Sequence, residues 1–526
     1  MAGQALVSGA VKVLLVNSNR ERMPWPALPL GLCTVASGLA DAGHEVEVLD
    51  LMFASDAARE TLNRVRKCDP DIVGLSIRNI DNCNFEVPHF YLTEIRDQVV
   101  RSVRAASTRA KIVVGGSAVN VSPADTFAFL EADYALVGEG EEALPDFLRA
   151  LEQGTPLNRV RGLLEPGKGS AKALPILDTG RLARGEPPAG RALVHDFAES
   201  PRSEAWRWID LKQYAAHGSP YSIQTKRGCA LKCSYCVYNN IEGHAYRLRN
   251  AVEVVDEMHE AVTKHGVRAI DFVDSTFNLP LSHARAICEE LERRPLPGVE
   301  LSTMGLNPAG VTPELVSAMK RAGFKSVMCT PESASEVTLK TLRKGFQKHS
   351  VIRAAQALRE GGLPTYWFFM LGAPGETMDT VRETLAFCEE HIAPTDMVLF
   401  STGIRVYSGT PLERQCKDMG WFAEDDPLFL PSWFLSPELD LNELYQTLMA
   451  AAQVHPNWMT NAETVVSPAM NAMMKGAFKA LGWKGPFWKH LPRVFGLANR
   501  FGVRQRGLEH HAANMRKVTD VRHYRG

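Results

Sequence analysis

The first 150 residues alternate short β-branched runs with amphipathic stretches, and this alternation limits the possible folds more than any other feature of the chain. Strands that alternate regularly with helices form a parallel sheet with helices packed on both faces. We therefore predict an α/β protein in which residues 1–153 form a doubly wound (Rossmann-like) domain. Its strands are expected at residues 11–16, 46–49, 72–76, 111–114 and 134–137.

The loops that follow these strands form the predicted binding face. A doubly wound sheet binds its ligand beyond the carboxyl ends of its strands. The loops concerned are residues 17–23, residues 78–84 with Arg78 at the end of the third strand, Gly115-Gly116-Ser117 and Gly138-Glu139-Gly140.

A second series of strands and helices fills residues 219–412. Six β/α units are predicted there, starting with a strand at 222–226. A complete eight-unit barrel needs about 250 residues, so this segment is expected to form a partial (β/α)6 barrel of the TIM type. Residues 154–218 are rich in Pro, Gly and charge without a period, which is typical of a linker. Residues 413–526 are expected to form a mainly helical cap.

Composition narrows the classes of partner. The chain has 45% hydrophobic and 23% charged residues and a formal net charge of -1, as in ordinary globular proteins. A near-neutral balance argues against a nucleic-acid partner, which requires concentrated Lys and Arg. No stretch has the roughly 20 apolar residues that span a bilayer, and no secretory signal is visible, so we expect a cytoplasmic protein.

The C-terminal tail is an exception to the neutral balance. Residues 475–526 contain many Lys and Arg and two acidic residues, Glu509 and Asp520, with several aromatic residues interleaved. A solvated cap on the barrel is one interpretation, and weak contact with a membrane surface is the other. The aromatic residues are Phe478, Trp483, Phe487, Trp488 and Phe495.

Three of the ten cysteines are clustered directly after the first barrel strand. Cys229, Cys233 and Cys236 have the spacing Cys-x3-Cys-x2-Cys, which lets one loop place three thiolates around one inorganic core. Zinc would need a fourth ligand, and His244 is the available candidate. An iron–sulfur cube held by three thiolates would instead leave one iron open. Spacing alone favours the cube and leaves zinc as the alternative.

The cysteine motif, with Tyr235 just before its last cysteine, resembles that of the radical S-adenosylmethionine (SAM) superfamily. The resemblance covers residues 219–412. It implies a 4Fe-4S cluster on Cys229, Cys233 and Cys236, whose open iron binds SAM and cleaves it to a 5′-deoxyadenosyl radical. It also implies an external one-electron reductant of the flavodoxin or ferredoxin kind.

Further positions match family elements that bind SAM. Asp274 and Ser275 follow the second strand, where the family places a group near the amino group of SAM. Cys329-Thr-Pro-Glu-Ser resembles a family segment after the fourth strand, which nominates Glu332 and Ser333, and Lys344 or Arg343 is nominated for the SAM carboxylate. Pro331 stands where the family has Gly. The turn at residues 371–377 also resembles a family turn, although Glu376 there is equally typical of a helix start.

The N-terminal domain resembles the cobalamin-binding domain that precedes many radical SAM enzymes. The similarity lies at residues 26–32, 43–50, 114–117 and 137–141 and implies that Gly115, Gly116, Ser117, Gly138, Glu139 and Gly140 contact the nucleotide tail. Glycines there would let the tail approach the backbone closely. The Asp-x-His-x-x-Gly motif of many cobalamin proteins is absent, and His44 lies before a strand. Cobalt is therefore expected without a histidine ligand, with Arg78 either near its lower face or at the surface.

Together the two resemblances imply a cobalamin-dependent radical SAM methyltransferase that methylates an unactivated carbon of a small, natural-product or lipid-like molecule. Radical cyclisation or rearrangement, polar methyl transfer to an aromatic or phosphorus centre, and a cobalamin-binding sensor are the alternatives. A tRNA-modifying methylthiotransferase would need a basic RNA-binding module that is not visible. Substrate contacts are expected from Thr303, Tyr366, Arg405 and Tyr407.

Overall fold

The computed structural model describes residues 10–165, 190–194, 196–460, 463, 473–474, 476–478, 480–482 and 487–504. Residues 166–189 and 195 of the predicted linker, Trp483 and the tail from 505 onward lie outside the described residues. The side chain of Phe487 does so as well. The domain boundaries at 153, 218 and 412 stay predictions.

The N-terminal domain is built on a six-stranded sheet with the strand order β2-β1-β3-β4-β5-β6. Strands β1 to β5 are parallel, and β6 pairs antiparallel with β5. The order 2-1-3-4-5 is a doubly wound topology that binds ligands where the direction of winding reverses, between β1 and β3. The strands are β1 (Lys12–Asn17), β2 (Glu45–Asp50), β3 (Ile72–Ser76), β4 (Lys111–Gly115), β5 (Tyr134–Leu136) and β6 (Leu163–Leu164).

Helices cover this sheet, as the alternation in the sequence predicts. The segments Leu92–Glu94, Ile95–Val100 and Arg101–Ala106 run on as one helix with a wider π turn in its middle. The others are Leu30–Asp41, Ala57–Cys68, Ser117–Val121, Pro123–Phe129, Gly140–Gln153 and the short 3-10 turn Leu157–Arg159.

The second domain is a curved parallel sheet that forms a partial barrel. Two parallel groups, β7-β10-β11 and β12-β13-β14-β17, meet through the bridges Leu301 to Phe324 and Leu306 to Cys329. The strands are β7 (Tyr221–Ile223), β8 (Lys226–Arg227), β9 (Arg247–Leu248), β10 (Ala269–Phe272), β11 (Glu300–Thr303), β12 (Val327–Glu332), β13 (Thr365–Leu371), β14 (Met397–Thr402), β15 (Ile404–Arg405), β16 (Trp433–Phe434) and β17 (Trp458–Thr460).

Helices surround the barrel and continue into the cap. They are Ala205–Trp208, Leu211–Ala216, Tyr238–Glu242, Ala251–Thr263, Leu281–Arg293, Pro308–Gly310, Pro313–Ala322, Glu336–Thr341, Lys348–Glu360, Met378–His391, Pro411–Asp418, Leu441–Val454, Phe487–His490 and Leu491–Arg500. No helix in the described part of the chain is long and apolar enough to cross a membrane.

Two details of the barrel differ from the expectation. The first strand ends at Ile223 instead of continuing to 226, because the carboxylate of Asp274 accepts hydrogen bonds from the backbone N–H groups of Thr225 (2.7 Å) and Lys226 (3.2 Å). The cap also contributes β17, which pairs in parallel with β14 and extends the sheet. β17 has only three residues, Trp458, Met459 and Thr460, which is too short a run to be recognised as a strand from the sequence.

The side chains of the regular barrel strands alternate between the two faces of the sheet. In β13, Trp367, Phe369 and Leu371 are buried in the main hydrophobic core beneath the helices, whereas Tyr366 and Phe368 point into the barrel. The same alternation places Ile270 and Phe272 of β10 outward. The lumen, defined here as the space enclosed by β7, β10 to β14 and β17, is therefore lined by the inward-facing residues.

The described part of the cap closes the lumen at the amino ends of the strands. Trp488 is buried with Leu399 and Met459, and its ring lies 5.5 Å from that of Tyr366. Phe478 is also buried. These two aromatic side chains are thus in the protein interior and do not contribute to the predicted contact with a membrane surface. The basic tail beyond 504 is not described, and its membrane contact stays a prediction.

The two domains are joined through buried polar contacts. Arg405 lies in the interior, and its guanidinium donates to Asp81 (2.9 Å) of the N-terminal domain and to the carbonyl oxygens of Leu428 and Phe429. The hydroxyl of Tyr407 contacts the thiol of Cys83 at 2.8 Å. This corrects the expectation that Arg405 and Tyr407 contact substrate, because both side chains are used at the domain junction.

We expect Asp81→Ala to lower the free energy of unfolding by about 3–5 kcal/mol, because it leaves the Arg405 guanidinium buried without its counter-charge. The measurement is chemical denaturation followed by fluorescence. Glu45→Ala, which removes the exposed partner of Lys12 (3.6 Å), is the control and should change stability by about 1 kcal/mol or less. Equal losses in both variants would contradict this assignment.

Candidate active site

The three clustered cysteines lie on a loop that backbone hydrogen bonds hold at both ends. Gly228 begins the loop with φ 87°, and a β-carbon there would overlap the carbonyl oxygen of Ala245. The N–H of Cys229 donates to Gly243 (3.0 Å), and that of Ser234 donates to Leu342 (2.9 Å). The loop is thus fixed between the first strand of the barrel and the segment that follows β12.

The thiols of this loop are shielded from water. Burial raises the pKa of Cys236 to about 12 and also raises that of Cys233, while the positive charge of Lys344 acts in the opposite direction on both. The charge of Cys229 raises the pKa of Cys233, and the charges of Cys229 and Cys233 raise the pKa of Cys236. The three sulfurs are therefore close enough for their charges to interact. Buried thiolates need positive charge beside them, which iron would provide.

The donor set fits an iron–sulfur cluster better than a single ion. Three soft thiolates on one loop are the ligand type that such clusters use. Among the described residues, no group of three or more His, Cys, Asp or Glu side chains converges on one ion. His244, the candidate fourth ligand for zinc, is exposed at the surface.

Beside the cysteines, three side chains from different elements form a buried cluster. The hydroxyl of Tyr235 donates to Glu332 at 3.2 Å, and the ammonium of Lys344 lies 3.3 Å from that hydroxyl and 3.5 Å from the Glu332 carboxylate. Burial raises the pKa of Glu332, and Lys344 counteracts the increase. The structure therefore brings together the predicted SAM-binding residues Glu332 and Lys344 with Tyr235 of the cysteine motif. Arg343, the alternative to Lys344, is exposed.

An irregularity in β12 accounts for the position of Glu332. Cys329 pairs with Trp367 and Glu332 with Phe369, so β12 contains one extra residue between the two pairs. A bulge of this kind redirects the side chains that follow it. Pro331, which stands where the family has Gly, lies in the bulge, and Glu332 takes a φ of 66°. The bulge therefore brings Glu332 to the cysteine loop although position 331 is proline and not glycine.

One cavity of about 2120 Å³ runs along both domains. It begins at the carboxyl ends of β1, β3 and β4, passes the ends of β7 and β10 at Gln224, Asp274 and Ser275, and continues through the lumen to Trp488. Arg227 and Tyr238, which flank the cysteine loop in the chain, are on its wall, and the hydroxyl of Ser275 donates to the carbonyl oxygen of Gly228 (3.3 Å).

The predicted binding face of the N-terminal domain lies on this cavity. Its residues are Arg78, Gly115, Gly116, Ser117, Gly138, Glu139 and Gly140. Gly116, with φ 98°, lies so close to Ile77 that a β-carbon would meet its carbonyl oxygen, and Gly138 is equally close to Ala192. The neighbouring backbone therefore already requires these two glycines. That they also contact the nucleotide tail stays a prediction.

Glu139 is similarly engaged within the protein. Its carboxylate accepts hydrogen bonds from Arg247 (2.6 Å) and from the N–H of Val194 (2.6 Å), and Arg227 lies 3.4 Å away. Although burial raises its pKa, the two guanidinium groups outweigh that effect and the net shift is downward. Glu139 thus connects the N-terminal domain to the cysteine-bearing segment of the barrel.

Comparison with known proteins identifies the two domains. The model of the radical SAM superfamily matches residues 223–388, and that of the B12 binding domain matches residues 25–148. The chain belongs to the cobalamin-dependent radical SAM enzymes.

Two curated relatives of this radical SAM enzyme are methyltransferases by name. Tryptophan 2-C-methyltransferase of Streptomyces laurentii is 28% identical over 77% of this chain and 75% of its own length. Cytidylyl-2-hydroxyethylphosphonate methyltransferase of Streptomyces wedmorensis is 23% identical over 80% and 84%. The solved structure of TsrM, a radical SAM methyltransferase from Kitasatospora setae with cobalamin and a 4Fe-4S cluster bound, superposes with a TM-score of 0.77. It is 24% identical, and the match covers 94% of this chain and 100% of TsrM, which shows the shared fold.

The cofactors of this methyltransferase-like radical SAM enzyme are a 4Fe-4S cluster, SAM and cobalamin. Cys229, Cys233 and Cys236 are the residues that would hold the cluster. His44 lies before β2, away from the cavity, so it does not face a ligand bound there. His44 is thus placed away from the predicted cobalamin site, and the absence of a histidine ligand on cobalt stays a prediction.

The remaining predicted SAM contacts differ in their surroundings. Ser333 is fully buried, and its hydroxyl contacts Thr384 (3.3 Å) and accepts from the N–H of Ser335 (3.1 Å), so it faces the core instead of the ligand. Asp274 is on the cavity wall, but its carboxylate also bonds the Thr225 hydroxyl (2.6 Å) and the Lys226 ammonium (3.1 Å). A contact between Asp274 and SAM stays a prediction, and its visible task is to shape the loop before the cysteines.

Several residues of the site carry no recognisable signal in the sequence. The amide of Asn120 bonds the backbone N–H (2.5 Å) and carbonyl (3.1 Å) of Gly138 and so fixes the turn at the binding face. Arg247 reaches Glu139 from the distant hairpin strand β9. The carboxyl of Glu242 is buried on the cavity wall, and burial raises its pKa to about 7. Each contact joins positions far apart in the chain, so no local spacing reveals it.

We expect Cys233→Ala to abolish cluster assembly and the formation of 5′-deoxyadenosine. A cluster with one open iron needs three thiolate ligands, and this variant retains two. Iron and sulfide content after anaerobic reconstitution, visible absorbance and product analysis are the measurements. Cys68→Ala, at the end of a helix on the N-terminal domain, is the matched control and should keep full iron content. A Cys233→Ala protein with the iron content of the wild type would refute the assignment.

Proposed function

We propose that this enzyme transfers a methyl group from SAM, by way of cobalamin, to an unactivated carbon of a small molecule bound in the lumen. The observation that carries the proposal is the cavity that runs from the binding face of the N-terminal domain, past Arg227 and Tyr238 on either side of the cysteine loop, into the lumen. Such a cavity lets the groups that carry the methyl group and the substrate meet without leaving the protein. The name of the curated tryptophan 2-C-methyltransferase supports transfer to carbon.

The chain itself contributes position and protection from water. The cysteine loop, fixed by Gly243 and Leu342, holds the cluster, and the binding face of the N-terminal domain holds cobalamin. When bound, the cluster supplies the electron that cleaves SAM, and cobalamin carries the methyl group. Met328, Tyr366, Phe368 and Leu399 give the lumen an apolar wall that excludes water from a reactive radical.

An external one-electron reductant belongs to this proposal, because cleavage of SAM consumes an electron that the chain does not generate. Cys233 and Cys236 are half-buried, so part of each residue remains accessible although burial raises the pKa of both thiols. A small flavodoxin- or ferredoxin-like protein docking there would place its cofactor close to the cluster.

The products distinguish this proposal from its alternatives. With trideuteromethyl-labelled SAM, a reductant and a small-molecule extract, we expect a labelled product together with equal amounts of S-adenosylhomocysteine and 5′-deoxyadenosine. Anaerobic incubation followed by mass spectrometry is the measurement, and the Cys233→Ala protein is the control. S-adenosylhomocysteine without 5′-deoxyadenosine would indicate polar methyl transfer, and an unlabelled product with 5′-deoxyadenosine alone would indicate cyclisation or rearrangement. Bound cobalamin with no turnover would indicate a sensor.

Arg78 is proposed to face the lower side of cobalt. It follows β3 at the point where the winding reverses, it is exposed on the cavity wall, and no described residue forms an ion pair with it. A fixed positive charge at this position disfavours coordination of a further ligand to the metal.

For Arg78→Ala we expect water to gain access to the lower face of bound cob(II)alamin. Electron paramagnetic resonance of the purified complex should then change from a four-coordinate to a five-coordinate signal. Arg96→Ala, on the outer helix Ile95–Val100, should leave the signal unchanged. An unaltered signal in Arg78→Ala would remove the residue from the cobalamin site.

A further inference from the structure

The lumen has one polar wall and one apolar wall. Ser222 of β7, Asp271 of β10 and Ser302 of β11 lie side by side in register and line the cavity. The apolar wall faces them from the other half of the barrel and consists of Met328, Tyr366, Phe368, Leu399 and Met459. A molecule that fills this space therefore meets a polar side and an aromatic, thioether-rich side.

Asp271 is the charged group at the centre of the polar wall. Asp271 is 2% exposed to solvent, and its carboxylate accepts a hydrogen bond from the Ser302 hydroxyl at 2.6 Å. Within the described residues, no Lys, Arg or His forms an ion pair with it and Ser302 is its one hydrogen-bond partner. Burial raises its pKa to about 7 because no cation offsets the loss of water. A buried carboxyl group without a counter-charge is costly unless something pairs with it.

Glu300 provides an internal comparison. It lies two residues before Ser302 on the same strand and also lines the lumen, nearer the capped end. The ammonium of Lys489 in the cap is close enough to Glu300 for their charges to interact. Among the described residues, the protein thus supplies a cation near Glu300 and none that pairs with Asp271.

We propose that Asp271 and Ser302 bind a cationic nitrogen of the substrate, so that the substrate is a small amine with an apolar, aromatic-sized body. The ammonium group pairs with Asp271 on the polar wall, and the apolar body packs against Tyr366, Phe368 and Met328. Asp271 lies three residues before Asp274, which is about 10 Å along the strand. The anchor is therefore deeper in the barrel than the cysteine loop, and it leaves the far end of the substrate directed toward the cofactors.

This inference rests on the proposed function in taking the lumen as the substrate site. The experiment described below measures ligand binding and not turnover. The amine anchor and the proposed methyl transfer can therefore be refuted separately. Loss of the amine preference with labelled methyl transfer intact would refute the anchor alone. An intact preference without methyl transfer would refute the proposed function alone.

The probes are 2-phenylethylamine and 2-phenylethanol, which share an aromatic body and differ in the cationic group. Ligand-observed NMR titration of the reconstituted holoenzyme measures the two dissociation constants at neutral pH. We expect the amine to bind at least about tenfold more tightly than the alcohol, as for a charge-assisted hydrogen bond in a partly desolvated site. Equal affinities in the wild type would overturn the proposal.

Asp271→Asn keeps the size of the side chain and a hydrogen bond with Ser302 but removes the charge. It should abolish the amine preference while the affinity for 2-phenylethanol stays within about twofold, which also shows that the lumen is still folded. Ser302→Ala, which loosens the carboxylate without removing it, should reduce the preference only in part. Retention of the full preference in Asp271→Asn would overturn the assignment.

Glu300→Gln is the matched control, because it removes the same charge from the same lumen at a position that Lys489 already balances. It should keep the amine preference. If Glu300→Gln lost the preference as completely as Asp271→Asn, general attraction by a negative lumen would explain the result, and the specific role of Asp271 would be refuted.

Discussion

Buried ion pairs at the domain junction fix the N-terminal sheet and the barrel sheet next to each other, so that both border the same cavity. The rest of the structure depends on these pairs. Arg227 and Arg247 of the barrel engage Glu139 and Glu141 of the N-terminal domain, and Arg405 engages Asp81. Buried ion pairs are weak evidence for net stability, since desolvation opposes their attraction. Their directional hydrogen bonds do define the relative position of the two domains, and that position makes the ends of both sheets share one space.

The same residues couple the junction to the chemistry. Arg227 immediately precedes the turn at Gly228 that starts the cysteine loop, and Glu139 is part of the binding face of the N-terminal domain. On the opposite side of the cysteines, the bulge in β12 directs Glu332 toward Tyr235 and Lys344. The loop that would hold the cluster is therefore supported by both domains and by the extra residue in one strand. The space below it, the lumen, is closed by Trp488 from the cap.

Much of this arrangement was predictable because its signals are local. Regular alternation of strands and helices predicted both parallel sheets. The resemblance carried by the cysteine motif and Tyr235 predicted a radical SAM domain, which the family model confirms over residues 223–388. The predicted strands of the N-terminal sheet agree with the observed ones to within a few residues. Errors arose where a distant residue decided the outcome. Asp274 ends the first barrel strand early, Asp81 draws Arg405 to the junction, and Thr384 turns Ser333 into the core.

The sequence by itself determined the two sheet types and the order of the domains, and it nominates the thiolate donors, because periodicity and motif spacing act over a few residues. Only the tertiary structure decided that Asp271 and Ser302 face an aromatic wall, that β17 extends the barrel, and that Gly138 packs on Ala192. Those contacts join segments far apart in the chain, and they exist only once packing of the core has fixed which side of each strand points inward.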